Sequence, residues 1–433
     1  MTDGVRVVRP DRSQLSWDLV DLDGWLPADH RARVVWRFVE GLDLEPFYAA
    51  IRSREGEAGR PAADPAVLLA LWLYATLEGV GSARELDRLV ERDLTYRWLA
   101  GGVKVNYHGL SDFRVGFGER LDRLLTQSVA SLVRAKVVRL DEIAVDGTKV
   151  RAPASAKSFT QGGRLDRLEA AARARIEALK AEVEGDPGAV SRRRQAARTR
   201  AAREMEDKVA KARAALEEFA KEKKAREKTH PKDEKKQGDR KVSLSDIEAR
   251  RMSFADGAKR AGYNIQVAAL PGSGLVVAIE ATDRRNDTGL APPMVDQIAR
   301  RYGRAPQRLL IDEGYAGRAD IEALASHAAG VVEVYMPARH EKSEDELTAK
   351  ARSARRASRA KESEVIRQWR ARMRTDEAAL VFRRRKLIER VNAHFKNRGL
   401  GRLTVRGLVK TRAVSLWHAL ANNLMVTQRL LPA

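Results

Sequence analysis

The sequence has no cysteine in 433 residues, which excludes disulfide staples and thiolate zinc sites. Its seven histidines include no HxxxH pair, so a zinc centre of that kind is not expected. No G-x-x-x-x-G-K-[ST] loop occurs, which removes the usual cradle for ATP, and no nucleotide cofactor is expected. No apolar run approaches the roughly 18 residues of a membrane span. The first residues, MTDGVRVVRPDRSQ, lack the apolar core of a secretory signal. The expectation is a soluble, cytoplasmic protein without a membrane partner.

What is abundant is positive charge. Lys and Arg number 82 against 60 Asp and Glu, a formal net charge of +22. Lysine and arginine neutralise phosphates and release counterions, so a surplus of this size points to a polyanionic partner, nucleic acid first. With 43% hydrophobic residues the chain can still bury one large core or several smaller ones.

The chain divides by character. Residues 1–133 hold a helical region. Val34, Val35, Phe38, Val39 and Leu42 recur at helical spacing. Asp64-Pro65 caps the apolar run AVLLALWLYATLEG, and Ser82-Ala83-Arg84-Glu85 is a capping box opening the next helix. Short helices around the Gly79–Ser82 turn are compatible with a helix-turn-helix, in which Arg84, Arg88 and Arg114 would meet DNA. RLDEIAVD (139–146) reads as a short strand ending in Asp146. Residues 157–250 are an insertion: two long Ala/Glu/Lys/Arg helices with narrow apolar stripes, broken at Gly185–Gly188, form an antiparallel hairpin, and residues 228–250 form a linker. Such a hairpin could bind DNA, pair with another subunit or stay solvated. Then GYNIQVAAL and LVVAIEAT flank a Pro-Gly-Ser-Gly turn as a β-hairpin, followed by a helix near 289–302, the strand QRLLID (307–312), a helix from 318 and the strand VVEVYMP. The charged stretch 338–375 reads as loop or partial helix, residues 377–397 as one amphipathic helix, and residues 413–430 as a last apolar helix. The order strand, β-hairpin, helix, strand, helix, strand, helix over 134–156 and 251–433 is that of a ribonuclease H-like α/β core.

In that order Asp146 and Asp312 close two strands. If these are parallel neighbours, both carboxylates emerge at the carboxyl edge of the sheet, where open α/β sheets bind ligands. Two close carboxylates repel unless a cation separates them, and Mg²⁺ prefers such hard oxygen ligands. On the 377–397 helix, Phe382, Arg385, Glu389, Asn392 and Lys396 share one face, beside an apolar stripe of Leu380, Leu387, Val391 and Phe395, so Glu389 can supply a third carboxylate and Arg385 and Lys396 can grip a phosphate. Asp141, Glu142 and Glu313 are weaker alternatives, while Lys149 and Arg151 are candidates for DNA contact.

The segments VDGTKVRAPAS (145–155), LLIDEGYAG (309–317) and FRRRKLIERVNAHFK (382–396) resemble the three motif regions of D-D-E insertion-sequence transposases, within the ribonuclease H-like, retroviral-integrase-like superfamily. The third matches the pattern Y-x2-R-x3-E-x6-K with Arg385, Glu389 and Lys396 in register and Phe382 in place of Tyr. The resemblance implies a bacterial enzyme with Asp146, Asp312 and Glu389 holding two Mg²⁺ ions (Mn²⁺ as substitute). Its partners would be double-stranded DNA, at element ends and at the target, and a second copy of the chain in a synaptic complex. A non-catalytic DNA-binding relative and a metal-dependent nuclease that cuts without joining are the competing readings.

Overall fold

A computed structural model describes residues 21–51, 61–185, 192–229, 241–315, 317–337 and 348–431. The first twenty residues, the turn expected at 186–188, part of the expected linker (230–240) and residues 338–347 lie outside the described residues.

The chain begins with α1 (Arg31–Glu40), α2 (Glu45–Tyr48), α3 (Pro65–Leu77), α4 (Ala83–Arg92), α5 (Leu94–Ala100), α6 (Tyr107–Gly116) and α7 (Gly118–Arg134). The caps are those read from the sequence: Asp64 Oδ1 accepts from the Ala66 N–H at 2.8 Å, and Ser82 Oγ accepts from Glu85 N–H. Nearly every residue of α3 is buried, as an all-round apolar helix must be. It packs against the last helix, α16 (Leu408–Leu430), and Trp72 and Trp417 meet with ring centroids 6.4 Å apart. One hydrophobic core runs from these helices into the sheet, joining Phe47, Leu71 and Leu99 to Ile265, Val276 and Leu420.

Strand β1 (Glu142–Arg151) does not stop at Asp146 but runs five residues further. From Ala144 onward it pairs antiparallel with β5 (Lys259–Ala269), from Ala144↔Ala269 to Arg151↔Gly262, and the extension past Asp146 carries Lys149 and Arg151 into the sheet rather than onto a loop. Between them, in chain order, lie β2 (Phe159–Thr160), α8 (Gly162–Gly185), α9 (Arg192–Thr229), β3 (Val242–Ser243) and β4 (Arg250–Ser253). The helices α8 and α9 are antiparallel: Arg213 of α9 bonds Asp166 and Glu169 near the start of α8, while Arg173 pairs with Glu206. Residues 241–250 are not a linker. Strand β3 pairs with β2 as a clasp at the base of the insertion, and Asp246 is buried, accepting from the Tyr263 hydroxyl at 2.6 Å. The reason is partnership: this charged segment places its one buried carboxylate on a core tyrosine and on the Gly407 N–H.

Then come β6 (Val276–Thr282), α10 (Ala291–Tyr302), β7 (Arg308–Leu310), α11 (Arg318–Ala325) and β8 (Glu333–Tyr335). The sheet runs β4-β5-β1-β7-β8, with β6 also on β5. Strands β1, β7 and β8 are parallel and β5 is antiparallel to β1, giving a mixed α/β sheet. Helices α12 (Ala349–Ala360) and α13 (Glu364–Arg372) occupy much of the charged stretch read as loop or partial helix, and Trp369 of α13 is buried.

The expected 377–397 helix is divided. Helix α14 (Asp376–Arg383) ends in a tight turn, Arg385 N–H to Phe382 carbonyl, and α15 (Lys386–Phe395) follows, then a π-type turn (Lys396–Leu400) and α16 (Leu408–Leu430). The docked face also differs from expectation. Leu380 is exposed, and the buried positions are Ala378, Val381, Ile388, Val391, Asn392 and Phe395. Among the described residues no helix is long and apolar enough to cross a membrane.

Candidate active site

The parallel pairing of β1 with β7 ends at Ala144↔Leu310. Asp146 and Asp312 each lie two residues past that pair, and since side chains alternate they fall on the same side as Ala144 and Leu310. Register alone thus sets the two aspartates side by side. Asp146 lies against α15: its Oδ2 accepts from Asn392 Nδ2 at 2.8 Å, and Arg385 Nη1 stands 3.4 Å from Oδ1. Burial pushes the Asp146 carboxyl up to about 6, against the pull of Arg385 and with a further push from Asp312. Asp312 is also raised, chiefly by burial, although the Gly314 N–H donates to its Oδ1 at 2.8 Å.

Glu389 does not join this pair directly. It is exposed, and its Oε1 accepts from Arg385 Nη2 at 2.7 Å. Arg385 therefore links Asp146 to Glu389, its side chain only 14% exposed. Among the described residues no three acidic or imidazole side chains stand close enough together to hold a metal ion. The weaker alternatives are engaged elsewhere: Asp141 pairs with Arg139 and Arg304, Glu142 with Arg308 and Arg384, and Glu313 lies in the turn after β7.

The four expected DNA contacts are dispersed. Arg385 faces inward. Lys396 is exposed at the end of α15. Alternation sends Lys149 and Arg151 to the face of β1 opposite Asp146, and the Arg151 backbone is tied to Gly401 and Leu403. In the N-terminal helices Arg84 and Arg88 are exposed or partly so, but Arg114 is buried. It donates to the Gly81 carbonyl and to Thr404 Oγ1, a structural placement that removes it from the DNA-contact group.

One acidic residue escaped the sequence reading. Asp287, between β6 and α10, exerts its charge on both Asp146 and Asp312. Its Oδ1 accepts from Asn264 Nδ2 and Gln266 Nε2, each at 2.7 Å, and a Cβ at Gly147 would collide with it. Gln266 Oε1 in turn accepts from the buried Tyr315 hydroxyl. The signal was present: Asn264 and Gln266 alternate in an otherwise apolar strand, and buried amides demand partners.

Comparison with known protein families defines the class. Residues 220–424 match the transposase DDE domain, which takes in Asp312 and Glu389 and begins beyond Asp146. Residues 20–115 match a transposase domain (DUF772). The chain belongs to the insertion-sequence DDE transposases. No curated protein and no solved structure matches it.

Proposed function

We propose that this transposase binds the terminal inverted repeats of its own element, cleaves DNA there and joins the freed 3′ ends to a target, with Asp146, Asp312 and Glu389 as the catalytic carboxylates. The observation that carries the reading is the placement of Asp146 and Asp312 at the same level of neighbouring parallel strands, with Arg385 leading from Asp146 to Glu389. The strand order, with one antiparallel hairpin against three parallel strands, supports a ribonuclease H-like core.

The donor chemistry suits a hard divalent cation. All candidate ligands are carboxylate oxygens, and the two aspartates are desolvated beside one another with a guanidinium supplying the compensating charge. Asp146 and Asp312 are the residues that would hold Mg²⁺, or Mn²⁺ in its place, and Glu389 would join them by exchanging Arg385 for the ion. When bound, the ion supplies Lewis-acid activation of water and stabilisation of the departing oxygen. The chain's own groups position and neutralise. Asn392 fixes the Asp146 carboxylate, and Asn264 and Gln266 fix Asp287. Arg385 neutralises Asp146 and Glu389, and the exposed Lys396 offers a point charge to a phosphate. Two element ends must meet, so a homodimer is expected, and the α8–α9 hairpin is a surface available for it. A cytoplasmic, nucleoid-associated location follows from a DNA substrate.

Nicking of a supercoiled plasmid carrying the element ends tests the reading, with end binding followed by gel retardation. Asp146→Ala, Asp312→Ala and Glu389→Ala should each abolish Mg²⁺-dependent nicking and retain binding. Wild-type nicking by Asp146→Ala would remove the triad. Calorimetric titration with Mn²⁺ adds a readout independent of turnover, and the same variants should lose the heat of binding.

A further inference from the structure

Where the N-terminal helices meet the segment joining α15 to α16, the surface opens into a cavity of about 40 Å³. Arg114, Arg398, Arg402, Thr404 and His418 line it beside Trp72 and Trp417, and no Asp or Glu is among its lining residues. A water occupies on the order of 10–15 Å³ by the same measure, so the space suits about three waters or one tetrahedral oxyanion.

The charges in this cavity are not balanced from within. Arg114 is buried, and its guanidinium is held by neutral groups: the Gly81 carbonyl, Thr404 Oγ1 at 2.9 Å and the Trp72 ring at 5.0 Å. Nη1 of Arg398 is buried without a hydrogen-bond partner, and so is Nδ1 of His418. Glu78, the carboxylate acting on Arg398, is itself bound to Arg31 at 2.8 Å. Burial, with Arg114 and Arg398 adding to it, holds the His418 imidazole down at about 3, so it is neutral at physiological pH and offers a hydrogen bond rather than another charge. Arg402 stands exposed on the rim. The walls are held against one another by backbone: Gly399 adopts φ +93°, and a Cβ there would stand 3.3 Å from the Gly79 carbonyl oxygen.

Buried cationic groups without a counter-charge are costly, and planar guanidinium forks match the oxygens of a phosphate. We propose that this cavity is a phosphate-binding site, in which Arg398 and Arg402 grip the oxygens, Arg114 supplies fixed positive charge and His418 Nδ1 completes the hydrogen bonding. The phosphate comes either from free inorganic phosphate or from a DNA backbone. The second source rests on the DNA-binding reading above; the first does not.

Thermal unfolding of the full chain in sodium phosphate, against sodium chloride of equal ionic strength, tests the site. The expected result is a midpoint raised by several degrees in wild type and unmoved in Arg398→Gln and Arg402→Gln. Should Arg398→Gln fail to fold in chloride, Arg402→Gln at its exposed position carries the comparison. In the second arm, the salt dependence of duplex binding is measured. A slope reduced by about one in each variant assigns the phosphate to DNA, and an unchanged slope with a thermal rise in wild type that the variants lack assigns it to the free ion. An equal thermal rise in wild type and both variants overturns the site, as does no rise together with an unchanged slope. Asp146→Ala, carried in parallel, should keep both responses, so loss of the catalytic reading does not imitate loss of this one.

Discussion

The sheet core and the α8–α9 hairpin are both built on a repeating apolar pattern, yet they are held together by different forces. In the core, β5 is buried along nearly its whole length and the apolar contacts run unbroken from Phe47 to Leu424. Among the described residues the hairpin has a small buried cluster, Leu165, Val209 and Ala212 with Val242 of β3, then a thin stripe that includes Ala172, Leu179 and Ala202, and its seam is edged by ion pairs of Arg213, Asp166, Glu169, Arg173 and Glu206. Apolar contacts carry no charge for salt to screen, whereas exposed ion pairs are weakened by it. The core is therefore a fixed platform for chemistry, and the hairpin is a lightly pinned appendage.

The largest effect that sharpens this contrast is catalytic. Asp146→Ala should reduce nicking on the order of 10³-fold or more in a plasmid assay, while a deletion confined to the outer part of α8 and α9 should leave the folded core intact by circular dichroism. Next is the core itself. Trp417→Ala removes a ring packed on Trp72 and Phe113 and should cost about 3–5 kcal/mol in denaturant unfolding, with N-terminal helices and sheet lost in one transition. Two separate transitions would break the claim of a shared core.

A third effect depends on pH. The folded Asp146 carboxyl is raised to about 6 from 3.8, so the folded state binds the extra proton. Its contribution to stability is fully present below pH 3.8 and is lost as pH rises through 6. Asp146→Asn should then be more stable than wild type at pH 8 by on the order of 2–3 kcal/mol, with the gain gone at pH 3.5. A gain constant with pH would contradict the burial argument. Smaller again, Leu165→Ala should raise hydrogen exchange across α8 and α9, with a local cost of about 2 kcal/mol, and leave the sheet protected. Smallest, Arg213→Ala should shift the unfolding midpoint only marginally, the difference shrinking further in high salt.

Much of this was legible because the governing physics is local. Asp64-Pro65 and Ser82 mark helix starts by capping, the Pro-Gly-Ser-Gly turn fixes the β5–β6 hairpin, and strict spacing gives α8 and α9. What escaped depends on partners distant in the chain. Asp146 looked like a strand end because nothing in VDGTKVR discloses that β5 will pair with it to Arg151. Spacing places Arg385 and Asn392 on the helix face of Glu389, with Arg385 meant for a phosphate, yet both turn to the buried Asp146, a partner that helix periodicity alone does not disclose. Asp246 hid in a stretch of charges until Tyr263 claimed it, and Asp287 was invisible until the amides of β5 were seen to need an acceptor.

The β2–β3 clasp has a consequence for assembly of the sheet. Strand β1 is synthesised long before its partner β5, and closing so long an intervening loop carries an entropic cost that rises slowly with length. The pairing of Phe159–Thr160 with Val242–Ser243 closes the insertion at its base, so the chain leaves and re-enters the core at neighbouring points. With that clasp closed, the span between β1 and β5 counts as a short tether rather than a loop of its full length, which lowers the entropic cost of pairing them.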